Sequence, residues 1–270
     1  MATTTHITLL GTSGVGKTTL ASLLQQAGWF HYSGDYRIAT RYLNEPISLW
    51  LTALAQREPT LAALLRDDAL SVKGKVTIDR LHILSAFVGK LGRDGYDAAT
   101  FLERQRLFAR AELQAMGDVG EFIHRAEKLL GYRAFINDAG GSVCEIDDQA
   151  LLEELGRQTL FVYLDTDEEL YDELQARALK YPKPICYHED FLREHIREYS
   201  QNHGGISADR FDSDDFIRFV TPKMMAHRRR RCLALAARFG VVLPARRLWQ
   251  IRHADEFTAL LERAVAEQRG

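Results

Sequence analysis

The chain has 270 residues, Lys+Arg 35 against Asp+Glu 37 for a formal charge of −2, and 46% apolar and 27% charged residues. These are the values of a folded globular protein and exclude disordered and low-complexity classes. No run approaches the ~18 apolar residues of a membrane span. Cys144, Cys186 and Cys232 show no Cys-x-x-Cys spacing, which excludes a disulfide framework and a cysteine zinc site. Met1–Leu10 has no basic leader or small-residue cleavage site. The expected compartment is the cytoplasm, with no membrane partner.

Charge is segregated along the chain. Residues 216–254 hold ten Arg or Lys and no acid, whereas residues 145–173 hold eleven acids and one base, Arg157. A basic block faces phosphates or nucleic acid, or it is a solvated helix face neutralised by the acidic segment.

His6–Leu10 reads as a short buried strand ending at Gly11, and a helix follows from Thr18 with Leu20, Leu23, Leu24 and Ala27 on one stripe. Trp29–Tyr32 reads as a second strand, closed by Ser33-Gly34-Asp35. From Tyr36 to about Leu130 the signals are helical: Tyr36–Glu45, Ile47–Gln56, Leu61–Asp68, Ile78–Lys90, and Ala98–Leu130 with a break at Gly117. Ala134–Asn137 and Leu160–Leu164 are further strands. Helices are expected at Asp167–Leu179, Phe191–Tyr199 and Met224–Phe239, then a strand at Val241–Leu243 and a last helix with Asp255 near its start as a cap. Strands separated by helices predict a parallel α/β sheet. The helical stretch between the second and third strands is too long for an ordinary crossover. It is expected to be an inserted helical subdomain (41–130) in a core of 1–40 and 131–270, with a lid-like segment at about 177–215.

Gly11-Thr12-Ser13-Gly14-Val15-Gly16-Lys17-Thr18 fits G-x-x-x-x-G-K-[ST] at every fixed position, after a strand and opening a helix. Glycines at 11, 14 and 16 let the backbone curve its N–H groups around phosphate oxygens, and the helix start points its positive end at the same anion. Lys17 reaches the β- and γ-phosphates and the Thr18 hydroxyl ligates Mg²⁺. The nucleotide-binding residues are therefore expected to be Gly11 through Thr19, with ATP and Mg²⁺. A second metal-side acid is expected at a strand end, where Asp138 and Asp165 compete. Asp138 follows the strand returning from the helical insert, so strand order points to it.

With these parts the chain resembles the nucleoside-monophosphate-kinase and shikimate-kinase-like group of P-loop kinases. His31-Tyr32-Ser33-Gly34-Asp35-Tyr36-Arg37 is similar to the second-strand exit of adenylate kinases. Gly120-Glu121-Phe122-Ile123-His124-Arg125-Ala126-Glu127 and Ile136-Asn137-Asp138-Ala139-Gly140-Gly141-Ser142 resemble substrate-side stretches of shikimate kinases, with Ser142 where a third glycine is usual. Leu164-Asp165-Thr166-Asp167, then Arg177 and Lys183-Pro184, look like the strand, helix and basic lid that follow. The resemblance implies a P-loop NTPase three-layer sandwich with a parallel sheet, a large helical insertion and a C-terminal helical or lid extension. It also implies a kinase that phosphorylates a small-molecule acceptor held between core and insert.

Among individual residues, Asp35 is placed to orient or deprotonate a substrate hydroxyl, or simply caps a helix. Arg177, with Lys180 and Lys183, can close over the transferring phosphoryl. Gly140 and Gly141 permit close approach of a substrate, and Glu145 is a weaker metal-side candidate. Arg125 reads as a surface residue, as do His188 and His195. Trp29, Trp50 and Trp249 read as core. The four consecutive residues Arg228–Arg231 cannot all face one way on a helix, so one or two reach phosphate and the others are solvated. No histidine pair has zinc-site spacing. Two other functions stay open: an ATPase or switch docking a protein partner through the helical insert, and a kinase of polynucleotide ends that uses the basic block.

Overall fold

The computed structural model describes residues 5–78 and 80–269. Five parallel strands form one sheet: β1 (His6–Leu10), β2 (Phe30–Ser33), β3 (Phe135–Asp138), β4 (Leu160–Asp165) and β5 (Gly240–Pro244), in the order β2-β3-β1-β4-β5. β1 is central, with Ile7 opposite Ile136 on one side and Leu160 on the other. Side chains alternate between two cores, one on each face. Along β4, Phe161 and Tyr163 enter one core while Val162 and Leu164 enter the other. Burial of both faces explains why this strand reads as an unbroken apolar run.

Helix α1 (Lys17–Gln26) follows β1 and buries Leu20, Ala21 and Leu24. Between β2 and β3 lie α2 (Gly34–Arg37), a π-helical turn (Ile38–Tyr42), α3 (Asn44–Ala55), α4 (Pro59–Arg66), α5 (His82–Val88), α6 (Ala98–Gly117) and α7 (Val119–Lys128). Ile38, Ile47, Phe87 and Met116 from this stretch share a core with Tyr32, Phe135 and Phe161 of the sheet. After β3 come α8 (Gln149–Gln158), α9 (Glu168–Lys180), α10 (Glu189–Asn202), α11 (Ser213–Phe239), α12 (Ala245–Leu248) and α13 (Ala254–Arg269). Aspartate caps set several starts: Asp97, Asp148, Asp167 and Asp212 each accept a backbone N–H from the first turn of α6, α8, α9 and α11. No helix among the described residues is long and apolar enough to cross a membrane.

Four expectations are corrected. The helix expected over Tyr36–Glu45 is broken into α2 and a π-helical turn, where the Leu43 amide reaches the Ile38 carbonyl at 2.8 Å. The helix expected over Ile78–Lys90 shortens to α5, because the Arg80 amide closes a turn on the Thr77 carbonyl at 3.0 Å and Gly89, at φ +70°, ends it; Asp79 lies outside the described residues. The helix expected from Met224 begins eleven residues earlier, at Ser213, and runs through Pro222. An interior proline costs ~3 kcal/mol. Burial of Phe216, Ile217 and Val220, ~1.5–3 kcal/mol each, offsets it. Finally, Asp255 lies inside the first turn of α13 and does not cap it; Glu256 instead accepts the Arg252 and His253 amides.

Candidate functional site

In a parallel sheet all carboxyl ends lie on one edge, and ligands bind where strands diverge to either side of a central one. Here that edge gathers Gly11 after β1, Ser33 to Asp35 after β2, Asp138 to Gly141 after β3 and Asp165 at the end of β4. A cavity of about 620 Å³ opens there.

The loop Gly11–Gly16 forms one wall. Gly14 and Gly16 sit at φ +91° and +105°, a backbone region that side chains resist, and the loop turns directly into α1. The first turn of α1 holds no acid, so its unpaired N–H groups keep their positive end free for an anion. Gly11, Thr12, Ser13, Gly14, Gly16, Lys17, Thr18 and Thr19 line the cavity. The Val15 side chain is instead fully buried in the core, which leaves only its backbone on the loop. Lys17 Nζ donates to the carbonyls of Gly11 (2.7 Å) and Thr12 (3.3 Å). Burial lowers the Lys17 pKa, while the charges of Asp138 and Asp35 oppose that shift.

Thr18 Oγ1 donates to Asp138 Oδ2 at 3.1 Å, across from β1 to β3. Asp165 is engaged elsewhere: Arg229 grips both its oxygens at 2.9 and 3.0 Å. Of the two strand-end acids, Asp138 is therefore the one beside Thr18 at the end of the glycine loop. His31 Nε2 lies 3.7 Å from the same Asp138 oxygen, and neither ring nitrogen has a hydrogen-bond partner.

Asp35 lines the cavity at the start of α2. Burial, reinforced by the Asp138 charge, pushes its pKa up to about 6. The N-cap of α2 is Ser33, whose Oγ accepts the Tyr36 amide, so capping does not occupy Asp35. Gly140 has no space for a side chain: a Cβ there would lie 2.8 Å from Asp35 Oδ1 and 3.1 Å from Glu112 Oε1. Glu112, from the middle of α6, is buried, accepts the Ser142 hydroxyl at 2.8 Å, and has its pKa pushed up to about 8 by desolvation.

Arg177, in the last turn of α9, rests over the glycine loop, where a side chain at position 14 would collide with its guanidinium. Lys183 also lines the cavity, while Lys180 leans over the Tyr181 ring at 5.4 Å. From the opposite wall, α11 contributes Arg228 and Arg229. Arg228 pairs with buried Glu145 and donates to the Cys186 carbonyl at 2.6 Å, while its Nη1 faces Gly141. Glu145 thus serves Arg228 and does not line this cavity.

Within the basic block, Arg231 pairs with Asp147, Arg238 with Glu153, and Arg246 with Asp167 and Glu169. With Arg228 and Arg229, the acidic segment thus engages five of the ten cations, and of the four consecutive arginines only Arg230 is exposed. Arg125 is exposed and pairs with Glu121, one turn away.

Four aromatic or histidine assignments change. Trp249 is 44% exposed and not core; its indole N–H donates to the Val15 carbonyl at 3.2 Å and braces the outside of the phosphate loop. Trp50 is only partly buried, at the edge of the core, whereas Trp29 is buried in it. His195 is buried against Phe191, with centroids 4.1 Å apart, and His188 is half-buried on Asp147. The sequence reading missed Glu112, which packs behind Gly140 without lining this cavity, and the bracing role of Trp249. An acid at the apolar-lined centre of a helix was the available signal for Glu112; nothing local marks Trp249.

No protein-family model matches the chain, and no curated protein matches it. Among solved structures it is similar to the shikimate kinase from Bacteroides thetaiotaomicron, with 14% identity over 82% of this chain and 96% of that chain, at a TM-score of 0.32. At that TM-score the likeness carries no functional argument.

Proposed function

We propose that the protein is a Mg²⁺-dependent phosphotransferase that moves the γ-phosphoryl group of ATP to a hydroxyl of a small acceptor. The observation that carries this reading is the Thr18 hydroxyl on the Asp138 carboxylate, in one cavity with Lys17 and Asp35. A hydroxyl and a carboxylate oxygen suit a small hard cation such as Mg²⁺. The glycine loop, the start of α1 and Lys17 suit the polyphosphate. When bound, MgATP supplies the phosphoryl group and part of the charge neutralisation it needs.

The chain's own residues do the positioning. Lys17, Arg177, Arg228 and Arg229 place positive charge around the cavity. Asp35 holds the acceptor hydroxyl and takes its proton once ionised, above about pH 6. Glu112, protonated at neutral pH, holds the Ser142 hydroxyl behind the Gly140–Gly141 turn and does not itself line the acceptor cavity. The Gly140–Gly141 turn lets that acceptor approach the backbone. The helices of 41–130 form the acceptor side, and the 177–215 segment acts as the lid that excludes water.

Calorimetric titration of MgATP into the wild type and Lys17→Ala tests this reading. Loss of binding in the variant supports it, and binding at wild-type affinity contradicts it.

A second reading keeps the nucleotide site and replaces the small acceptor with a protein partner. Leu49, Leu54, Leu61 and Leu64 of α3 and α4 are exposed, and α4 buries none of its residues. ATP hydrolysis that rises on addition of cell extract supports it; indifference to extract removes it.

A further inference from the structure

His31 lines the cavity from β2, two residues before Ser33, and Ser33 stands opposite Asp138 on the neighbouring strand β3. The period of two therefore puts His31 and Asp138 on one face of the sheet. The His31 side chain is 3% exposed, and neither Nδ1 nor Nε2 has a hydrogen-bond partner. Burying an imidazole with both nitrogens unpaired is costly, and such a group marks the place of an ion or a water.

The distances favour the ion. Nε2 lies 3.7 Å from Asp138 Oδ2, too far for a direct hydrogen bond. A water ~2.8 Å from both atoms would hold them at an angle of only ~80°, well short of tetrahedral. Two donors each ~2.1 Å from one metal ion lie ~3.0 Å apart at a right angle and ~3.6 Å apart at ~120°. The observed separations to the same Oδ2, 3.1 Å from Thr18 Oγ1 and 3.7 Å from His31 Nε2, match that pair of values.

We propose that His31 is the nitrogen ligand of a divalent-cation site shared with Asp138 and Thr18, and that this nitrogen makes the site prefer Mn²⁺ to Mg²⁺. The proposal rests on the cation site of the phosphotransferase reading and names the class of ion that site takes. Mg²⁺ demands oxygen ligands and sheds its water reluctantly, whereas imidazole suits first-row transition ions. Because neither ring nitrogen is committed to a hydrogen bond, Nε2 is free to offer its lone pair. Among the described residues no group of three or more His, Cys, Asp or Glu is arranged for a metal, so the Thr18 hydroxyl completes the set. Water or phosphate oxygens fill the remaining positions.

The test titrates Mn²⁺ alone into the purified full-length wild type, His31→Ala and His31→Gln, follows free Mn²⁺ by electron paramagnetic resonance, and competes it with Mg²⁺. The wild type is expected to hold Mn²⁺ ~10-fold or more tighter than Mg²⁺, and pulsed resonance of the bound ion to show modulation from a coordinated imidazole nitrogen. Both variants lose that modulation and bind Mn²⁺ ~10-fold more weakly, while their Mg²⁺ affinity stays within a few-fold of wild type. Where the variants fail to fold, the His31 ring resonances of the wild type must broaden beyond detection on Mn²⁺ addition. Bound Mn²⁺ without nitrogen modulation, no preference over Mg²⁺, or modulation that survives both replacements overturns the proposal and leaves the phosphotransferase reading standing. Nitrogen-bound Mn²⁺ together with wild-type MgATP affinity in Lys17→Ala overturns that reading and leaves the metal site standing.

Discussion

Asp35 and Glu112 approach Gly140 from different elements, so that a single added carbon at Gly140 would lie about 3 Å from a carboxyl oxygen of each. Desolvation raises both, but unequally: Asp35 to about 6, with Asp138 adding to the shift, and Glu112 to about 8, with the Ser142 hydroxyl opposing it. At neutral pH one is a carboxylate and the other an acid. Environments that separate two carboxyl groups in this way divide the roles of acceptor and donor between them.

The first consequence is a pH profile. If Asp35 takes the acceptor proton, kcat/KM rises with pH through about 6 as the group ionises. Asp35→Asn lowers transfer by ~10²–10⁴-fold and leaves MgATP affinity within a few-fold of wild type. A flat profile across that range, or a fully active variant, contradicts the role.

Glu112 supplies a stability prediction of definite sign. Its folded pKa of about 8 exceeds the ordinary glutamate value of 4.5, so the folded state binds more protons between those limits. Stability is therefore fullest at low pH and declines as pH rises through that window. Glu112→Gln retains an oxygen for Ser142 and removes the titration. At pH well above 8 the variant is more stable than wild type, by on the order of 4–5 kcal/mol, and the two converge below pH 4.5. Urea unfolding at both extremes measures this, and curves that coincide at high pH contradict it.

Arg228 and Glu145 form a buried pair, with side chains 15% and 6% exposed. Removing one partner leaves the other charge desolvated, so Arg228→Ala costs ~3–5 kcal/mol. The double replacement Arg228→Met with Glu145→Met regains most of that loss. Thermal and denaturant melts decide it, and a single variant as stable as wild type removes the pair from the account.

Much of the glycine-loop wall of the cavity was legible in the sequence, because its spacing is local. Gly11 to Thr18 occupies consecutive positions on one strand–loop–helix unit, and Asp35 and Asp138 follow strands that the apolar runs reveal. Glu112 was not legible as a neighbour of the site, because only tertiary packing brings α6 up behind the Gly140–Ser142 turn. Trp249 was expected in the core, yet its contact with Val15 joins residues from opposite ends of the chain. The long start of α11 was hidden by Pro222, whose local cost is offset by burial that no local pattern reports. In the basic block, pairing with the acidic segment was one of the two readings offered by charge alone, and distances decided between them.

That pairing yields a further prediction. With Arg228, Arg229, Arg231, Arg238 and Arg246 engaged by acids of the same chain, half of the block's ten cations are already neutralised. Fluorescence anisotropy with labelled single- and double-stranded oligonucleotides is expected to show no salt-sensitive binding. Affinity that falls steeply with added salt contradicts this and favours a polynucleotide-end kinase.

The central claim is phosphoryl transfer that depends on Lys17, and ³¹P NMR tests it most directly. Purified protein is incubated with MgATP and a pooled small-metabolite extract, with Lys17→Ala as the control. The account predicts a new phosphoester resonance with the wild type and none with the variant, and the acceptor can then be isolated from that signal. ADP and inorganic phosphate alone, or the same phosphoester from both proteins, contradict it.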